Sequence, residues 1–241
     1  MNLKNIQVLV ISLTRSIERR QRVNQEMAKT NLSWNFLDAV DGRSIDFPIA
    51  EYPEKKVKSL LGFGLSPGEI GAALSHKIAW SMCRDANQVT LVLEDDFVLL
   101  PQFEQTLTIV TQGDQEWNLL RLQALAESPF VLLKKHNSVS IVKNEADPLG
   151  CTAYLLTPKA ASILLANFEQ IYEPIDHFLE HEEKHGIQFL AVRDYPVSIS
   201  GEITTVLDRT ERKPLRGYRK LKRSMLRFLD RHFSSSPWFP K

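Results

Sequence analysis

Short apolar segments rich in β-branched residues alternate along this chain with longer segments of helical character. The apolar segments predict strands at residues 6–12, 34–40, 89–93, 119–125, 130–133, 139–142, 151–156 and 188–192. Helices are predicted over 16–29 and 66–84, directly after 157–158, and from 174 to a C-terminal cap at Gly186. Strands that alternate with helices form a sheet covered by helices on both faces, so the body of the chain is predicted to be one α/β domain.

Local patterns set the ends of several of these elements. The sequence SPGE at 66–69 is typical of a helix start, with Ser66 as the N-cap and Glu69 completing a capping box. The turn dipeptide DG at 41–42 closes the second predicted strand. Residues 46–58, which follow, are Pro-rich and charged and predict a surface loop.

Composition excludes several classes of protein. The chain has 241 residues, of which 43% are hydrophobic, and this is the composition of an ordinary globular protein. No segment reaches the roughly 18 consecutive apolar residues that a membrane-spanning helix needs. The N-terminal residues lack the pattern of a secretory signal, and Cys83 and Cys151 lie in apolar surroundings without metal-type spacing. A cytoplasmic protein with two buried, reduced thiols is expected.

Charge is distributed unevenly along the chain. Residues 209–231 hold ten Lys or Arg against two carboxylates, a net charge of +8. Because the whole chain carries +1 and Lys241 adds one, residues 1–208 carry −8. Apolar residues recur in the basic segment at spacings of three and four. We therefore predict an acidic domain over 1–208 and a basic tail over 209–241, which is either an amphipathic helix on an anionic membrane surface or a solvated last helix.

Three consecutive carboxylates, Glu94, Asp95 and Asp96, directly follow a predicted buried strand. Like charges raise one another's pKa unless a cation neutralises them, and ligands bind at the carboxyl ends of strands in open α/β sheets. Alternation along the strand would place Glu94 and Asp96 on one face and Asp95 on the other. Oxygen ligands favour Mg²⁺ or Mn²⁺. The run therefore indicates a divalent-cation site, with an acidic turn as the alternative.

Read together, several motifs resemble glycosyltransferase family 25, the lipooligosaccharide and lipopolysaccharide biosynthesis transferases. They are VISLTR at 10–15, FLDAVDG at 36–42, GEIG at 68–71, LSH at 74–76, EDD at 94–96, GCTAYL at 150–155 and PID at 174–176. The resemblance covers about residues 6–200. It implies a GT-A-like nucleotide-sugar-binding fold with a mixed, mostly parallel sheet flanked by helices. It also implies metal-assisted transfer with inversion at the anomeric carbon. Many members of the family are β-galactosyltransferases that use UDP-galactose.

The resemblance assigns roles to the acidic residues. Asp96 is expected to bind Mn²⁺ or Mg²⁺ directly, with Glu94 assisting through water or the sugar. The predicted general base is Asp176, although an Asp at a helix start is also a good N-cap. Glu69 is the second candidate for the base, with its capping box as the structural alternative, and Glu202 is the third.

Seven residues are predicted to bind the nucleotide-sugar donor. Arginines after the first strand suit phosphate, carboxylates after the second strand can accept hydrogen bonds from uracil or ribose, and His76 is expected at the diphosphate. Some of these arginines, among them Arg20, are alternatively solvated, Asp41-Gly42 is alternatively a plain turn, and Tyr154 and Trp80 are core residues or stacking groups. The predicted donor-binding residues are Leu13, Arg15, Arg19, Asp38, Asp41, His76 and Asp95.

These inferences combine into one expected function. The chain is predicted to be a metal-dependent, inverting hexosyltransferase, β-1,4-galactosyltransferase-like, that transfers galactose from UDP-galactose to a lipooligosaccharide acceptor. It is expected to act at the inner face of the cytoplasmic membrane, held there by its basic C-terminus. The alternatives are a metal-dependent nucleotide-sugar phosphohydrolase or pyrophosphorylase and, ranked last, a nucleic-acid-binding protein. No nucleic-acid partner is expected, because no recognised nucleic-acid module is present.

Overall fold

The computed structural model describes residues 6–112 and 117–201, and over these ranges the chain forms ten strands and seven helices. The strands are β1 (Gln7–Ser12), β2 (Asn35–Asp38), β3 (Thr90–Glu94), β4 (Phe97–Leu99), β5 (Leu119–Arg121), β6 (Phe130–His136), β7 (Val139–Asn144), β8 (Ala153–Leu156), β9 (Phe189–Arg193) and β10 (Val197–Ile199). The helices are α1 (Ile17–Met27), α2 (Glu54–Leu61), α3 (Pro67–Ala86), α4 (Phe103–Thr111), α5 (Pro158–Asn167), α6 (Ile175–Glu180) and α7 (Glu182–His185).

Eight strands form one sheet in the order β2-β1-β3-β8-β5-β9-β7-β6. β1 pairs in parallel with β2 and β3, and β5 pairs in parallel with β9. β8 is antiparallel to β3 and β5, and β7 is antiparallel to β9 and β6. Only β7 and β8 therefore run against the other six strands. The sheet is mixed and mostly parallel, as predicted, and a separate antiparallel pair joins β4 to β10.

Helices cover both faces of this sheet, which explains why its central strands are apolar throughout. Leu9 of β1 packs into one core with α3 and α5, and Val10 packs into a second core with α1 and α4 on the other face. Successive side chains of β1 thus enter different cores. The α/β architecture predicted from the sequence is confirmed.

Several predicted boundaries are wrong. Residues 46–58 are not all loop, because α2 begins at Glu54, where an ion pair between Glu54 and Lys58 and the fully buried Val57 stabilise a helix. The strand predicted over 119–125 ends at Arg121, because the Leu125 amide bonds to the loop carbonyl of Leu149 rather than to a neighbouring strand. The burial of Val57 and the hydrogen bond between Leu125 and Leu149 are tertiary contacts that local patterns do not contain.

The helix predicted after Pro174 also differs from the prediction. It is interrupted at His181, which separates α6 from α7. It ends at Gly186 as predicted, in the left-handed conformation with φ 74°. The predicted helix 66–84 is confirmed and extends to Ala86.

Two glycines let the turn after β2 pack against the start of α3. A Cβ on Gly42 would lie 1.7 Å from the carbonyl oxygen of Pro67, and a Cβ on Gly71 would lie 2.5 Å from that of Val40. The Ser75 hydroxyl accepts a hydrogen bond from the Val40 amide at 2.8 Å. This close approach brings the end of β2 next to the N-terminus of α3.

None of the helices over residues 6–112 and 117–201 combines the length and apolarity needed to cross a bilayer. The boundary predicted at residue 208, the basic tail over 209–241 and the third candidate base, Glu202, all lie outside the described residues.

Candidate active site

A cleft of about 310 Å³ opens at the edge of the sheet where β1 and β3 end. Since β8 runs in the opposite direction, the residues that precede it reach the same edge. The N-terminal residues of α3 and α6 complete the walls. Ten of the predicted site residues line this cleft: Leu13, Arg15, Arg19, Asp41, Glu69, His76, Glu94, Asp95, Asp96 and Asp176.

Asp38 does not line the cleft. Its largely exposed carboxylate forms an ion pair with Arg20, which also donates to the Ser12 carbonyl oxygen at 2.8 Å. This pair ties the ends of β1 and β2 together. The structure therefore does not bring Asp38 to the other predicted donor-binding residues, and it places Arg20 in an ion pair.

The three consecutive carboxylates do not lie along a strand. β3 ends at Glu94, and Asp95 and Asp96 form the turn that leads into β4. The argument from alternating strand faces is therefore wrong, because alternation ends where the strand ends. All three residues line the cleft instead.

Glu94 is held by donors on both of its carboxylate oxygens. Cys151 donates through its thiol to Oε1 at 3.4 Å, and Thr152 donates through its hydroxyl to Oε2 at 3.2 Å. His76 Nε2 lies 3.2 Å from Oε1. Burial alone would raise the pKa of the Glu94 carboxyl, but these contacts, led by the one to His76, lower it below the ordinary value. Glu94 is thus an oriented carboxylate.

Two buried aromatic residues extend the chain of hydrogen bonds from His76. Trp80 can only donate, and its Nε1 bonds to the Tyr154 hydroxyl oxygen at 2.9 Å. The Tyr154 hydroxyl lies 2.8 Å from His76 Nδ1. Because Nε2 faces the ionised Glu94, Nε2 carries a proton and donates it to Oε1. Trp80 and Tyr154 are fully buried, so they are core residues that support this chain of hydrogen bonds.

His76 is therefore directed at Glu94. Both of its ring nitrogens have partners, and the side chain is fully buried although the residue lines the cleft. The predicted contact between His76 and the donor diphosphate stays a prediction, and it would require His76 to give up the bond to Glu94.

Asp95 is fixed in a different way. Its Oδ2 accepts from the Ser12 hydroxyl at 2.7 Å, and its Oδ1 accepts from Arg19 Nη1 at 2.5 Å. Both side chains of this ion pair are largely buried. Arg19 thus supplies the nearby positive charge that this acidic turn needs.

Asp96 differs from Glu94 and Asp95 in its hydrogen bonding, and its own pKa is raised. Its Oδ1 is buried and accepts no hydrogen bond from any residue that the structure describes. Burial, and then the neighbouring charge of Glu94, raise the pKa of the Asp96 carboxyl to about 7. A buried oxygen without a donor beside two further carboxylates fits a divalent cation bound to oxygen ligands.

A second set of possible metal ligands overlaps this one. His76, Glu94 and Cys151 offer ligand atoms that all lie within 4.8 Å of one another. A metal would require the Cys151 thiolate, but burial and the neighbouring Glu94 raise the pKa of that thiol well above its ordinary value. The imidazole and the thiol both donate to Glu94, so the oxygen that is left for a cation is that of Asp96.

Arg15 and Asp41 form an ion pair at the rim of the cleft, with Arg15 Nε 2.6 Å from Asp41 Oδ2. The Arg43 amide also donates to Asp41 at 3.1 Å. The Arg15 hydrogen bond is the main reason why the pKa of the Asp41 carboxyl is lowered. Asp41 caps the short 3-10 turn over Gly42–Ser44, so the turn predicted for Asp41-Gly42 exists. The turn and a donor contact are compatible, because Asp41 lines the cleft.

The two candidates for the general base occupy different helix starts. Asp176 is buried in the first turn of α6, whose N-cap is Pro174, so the N-cap interpretation of Asp176 is wrong. Glu69 completes the predicted capping box: its amide donates to the Ser66 hydroxyl, and its Oε2 accepts from the Ser66 amide at 2.8 Å. Both residues line the cleft.

Sequence reasoning missed three residues that hold the carboxylates. Ser12 holds Asp95, whereas Cys151 and Thr152 hold Glu94. Cys83 and Cys151 are both free and buried, as predicted, but Cys151 also lies in the cleft. The available signal was the position of Ser12 at the end of a predicted strand and of Cys151-Thr152 at the start of another, within the GCTAYL motif.

The sequence comparisons identify the family. A family model described as glycosyltransferase family 25 (LPS biosynthesis protein) matches residues 5–179. The chain belongs to glycosyltransferase family 25. The fold, with the mixed sheet described above, is accordingly GT-A-like.

Three relatives show the range of the family. A Haemophilus influenzae protein named as a glycosyltransferase is 30% identical over 165 residues, which cover 65% of this chain and 55% of the relative. Lipooligosaccharide biosynthesis protein lic2B of Haemophilus influenzae is 22% identical over 66% of this chain and 62% of the relative. Procollagen galactosyltransferase 1 of Danio rerio is 27% identical over 76% of this chain and 32% of the relative. The chain thus spans less than two thirds of the length of each.

Solved structures resemble the chain at the level of the fold alone. One is a mutant Drosophila β-1,4-galactosyltransferase 7 in complex with manganese, UDP-Gal and xylobiose, with a TM-score of 0.46, 10% identity and coverage of 91% of this chain and 79% of that chain. Another is a glycosyltransferase involved in glycosylation of the major capsid of PBCV-1, with a TM-score of 0.41, 9% identity and coverage of 92% and 98%.

Proposed function

We propose that this family 25 member is an inverting, metal-dependent hexosyltransferase. In this proposal it moves galactose from UDP-galactose, in β linkage and most simply β-1,4, onto a lipooligosaccharide or lipopolysaccharide acceptor. The observation that carries the proposal is Asp96 Oδ1, a buried carboxylate oxygen without a donor among the described residues, in a cleft that also holds Glu94 and Asp95.

In this proposal, different cleft residues bind the metal, bind the diphosphate and accept the proton. Asp96 would hold Mn²⁺ or Mg²⁺ directly, and Glu94, fixed by its three contacts, would assist through water or the sugar. A bound ion would neutralise the charge that develops on the diphosphate as UDP departs. Arg15 lies at the cleft rim, where its guanidinium group suits phosphate. Asp176 would take the proton from the acceptor hydroxyl, since it is a buried carboxylate that lines the same cleft at the start of α6.

The relatives support the choice of sugar and acceptor. One is named a lipooligosaccharide biosynthesis protein, and another a procollagen galactosyltransferase. Galactose is therefore the first donor sugar to test. The basic tail over 209–241 and the family description favour an anionic bacterial glycolipid as the acceptor rather than a polypeptide.

The test is UDP release from a panel of UDP-sugars, with and without Mn²⁺ and with and without a truncated lipooligosaccharide acceptor. We expect release from UDP-galactose that depends on both the metal and the acceptor, with a β-linked product by NMR. Metal-dependent release without an acceptor would instead identify a nucleotide-sugar phosphohydrolase. An α-linked product would overturn inversion, and release that is indifferent to metal would overturn the metal site.

We further propose that the basic tail binds an anionic membrane surface at the inner face of the cytoplasmic membrane. The net charge of +8 over 209–231 supports this, since each basic residue near an anionic surface contributes about 1 kcal/mol. The 241-residue chain should sediment with vesicles that contain phosphatidylglycerol and stay in solution with phosphatidylcholine alone. A variant with Gln at Arg219, Lys220, Lys222 and Arg223 should lose most of this binding. Equal binding to both kinds of vesicle would contradict the proposal.

A further inference from the structure

A buried ion pair lies behind the cleft, between Arg121 at the end of β5 and Glu180 at the end of α6. Arg121 is fully buried, and the Glu180 side chain is only 7% exposed. The guanidinium stacks over the Phe189 ring at 4.1 Å from its centroid. A buried pair of this kind is often no more stabilising than well-packed apolar residues, so it calls for a role other than stability.

The pair holds a segment of unusual backbone. Arg121 Nη1 donates to the carbonyl oxygens of Leu149 at 2.5 Å and Gly150 at 2.7 Å, while Nη2 pairs with Glu180. Glu180 Oε1 also accepts from the Leu149 amide at 3.1 Å. Leu149 and Gly150 both have positive φ, 56° and 87°, and a bulky residue such as Leu rarely adopts this conformation. The two charged groups thus hold a conformation that the sequence disfavours.

This segment leads directly into the cleft. Cys151 and Thr152, the next two residues, hold the two oxygens of Glu94. On the other side, Glu180 lies one helical turn after Asp176 on α6. The ion pair therefore connects the wall that holds Glu94 with the helix that carries Asp176.

We propose that Arg121 and Glu180 are positioning residues, which hold the segment 148–150 and α6 in register so that Glu94 and Asp176 keep their places in the cleft. For its consequence on sugar transfer this inference rests on the proposed function. The planar shape of the Arg121 guanidinium matters more than its charge. A guanidinium can bond to two carbonyls and a carboxylate at once, whereas an ammonium group is a point charge.

The test is the reactivity of Cys151, which reports on the segment without any enzymatic assay. Cys151 and Cys83 are both free and buried. Iodoacetamide labelling followed by mass spectrometry therefore compares Cys151, which follows the segment 148–150, with the fully buried Cys83 on α3. In Arg121→Lys we expect Cys151 to be labelled about tenfold faster, with Cys83 unchanged, because the segment opens locally. Glu180→Gln should have a smaller effect of the same kind, since its amide oxygen still accepts from Leu149.

The control is Lys143→Met, which removes the ion pair between Lys143 and Glu182 nearby, whose side chains are both more than 40% exposed. It should leave both cysteines at their wild-type rates. If Arg121→Lys and Glu180→Gln both accelerated the labelling of Cys83 and Cys151 equally, the ion pair would contribute to global stability, and the proposal would be overturned. Unchanged labelling of Cys151 in both single variants, Glu180→Gln and Arg121→Lys, would also overturn the proposal.

The kinetic readout separates this inference from the proposed function. With an active wild type, Arg121→Lys should lower kcat by about tenfold or more and leave the donor KM within about threefold, because orientation rather than binding is lost. An inactive wild type would count against the proposed function. The labelling experiment would still test whether Arg121 and Glu180 hold the segment 148–150 in place.

Discussion

Replacement of Asp96 by Asn will reduce metal-dependent transfer by about 10³-fold, because contact with a Lewis-acidic ion contributes several kcal/mol and about 1.4 kcal/mol corresponds to a factor of ten. The side chain keeps its shape, but its buried Oδ1 loses the charge that would bind the cation. Isothermal titration with Mn²⁺ should show weaker binding, and turnover should fall even at saturating UDP-galactose.

The same variant should not be less stable than the wild type. Burial and Glu94 raise the pKa of Asp96 from 3.8 to about 7, so the folded protein holds a proton that the unfolded chain releases at lower pH. Ionisation therefore costs stability as the pH rises from about 4 to 7, and this cost persists above pH 7. At pH 8 without metal, the melting temperature of Asp96→Asn should equal or exceed that of the wild type.

Asp85→Asn is the matched control for this prediction. Asp85 is an exposed carboxylate near the end of α3, paired with Arg84 outside the cleft. Its replacement should change neither turnover nor Mn²⁺ binding. Turnover of Asp96→Asn within a few-fold of the wild type would mean that the cation is held elsewhere, and the set of His76, Glu94 and Cys151 would be examined next.

Replacement of Asp176 by Asn is expected to lower kcat by about 10²–10⁴-fold, the usual contribution of a general base. Asn keeps a carbonyl oxygen that can accept from the His177 amide, as Asp176 Oδ1 does at 3.1 Å, so the start of α6 should persist. Donor KM and Mn²⁺ affinity should therefore stay near the wild-type values. Steady-state kinetics with saturating acceptor, together with metal titration, measure this separation of kcat from binding.

Two further variants sharpen the test of Asp176. Glu183→Gln, an exposed position on α7, should leave turnover unchanged. Glu69→Gln preserves the capping box, because Gln can replace Glu in it, but removes a possible base. Loss of activity in Glu69→Gln with full activity in Asp176→Asn would transfer the role of base to Glu69.

The architecture was predictable because the signals that encode it are local. Short apolar, β-branched segments and capping residues specify elements such as β1 and α3, and the alternation of these elements implies a sheet between two helical layers. Elements that depend on distant contacts were missed or misplaced. α2 is stabilised partly by the burial of Val57 in the core, and β5 is shortened by the contacts of the 148–149 loop.

The candidate site shows the same division. The chemistry of Glu94, Asp95 and Asp96 and the family motifs were visible in the sequence, because a run of carboxylates after a strand needs a neutralising partner. Their individual environments were not. The strand ends at Glu94, so three adjacent carboxylates face different partners: His76, Cys151 and Thr152 for Glu94, Arg19 and Ser12 for Asp95, and no donor at Oδ1 of Asp96 among the described residues.

The sequence by itself determined the α/β class, most of the strands and helices in their order, and the family to which the chain belongs, since each depends on residue types at fixed spacings. Only the tertiary structure decided which carboxylate is held by donors, which is neutralised and which is left for a cation. It also revealed the Arg121–Glu180 pair, whose partners are 59 positions apart in the chain. The physical reason is that hydrogen bonds, ion pairs and burial depend on distances in space, and a sheet whose neighbouring strands are distant in sequence sets those distances.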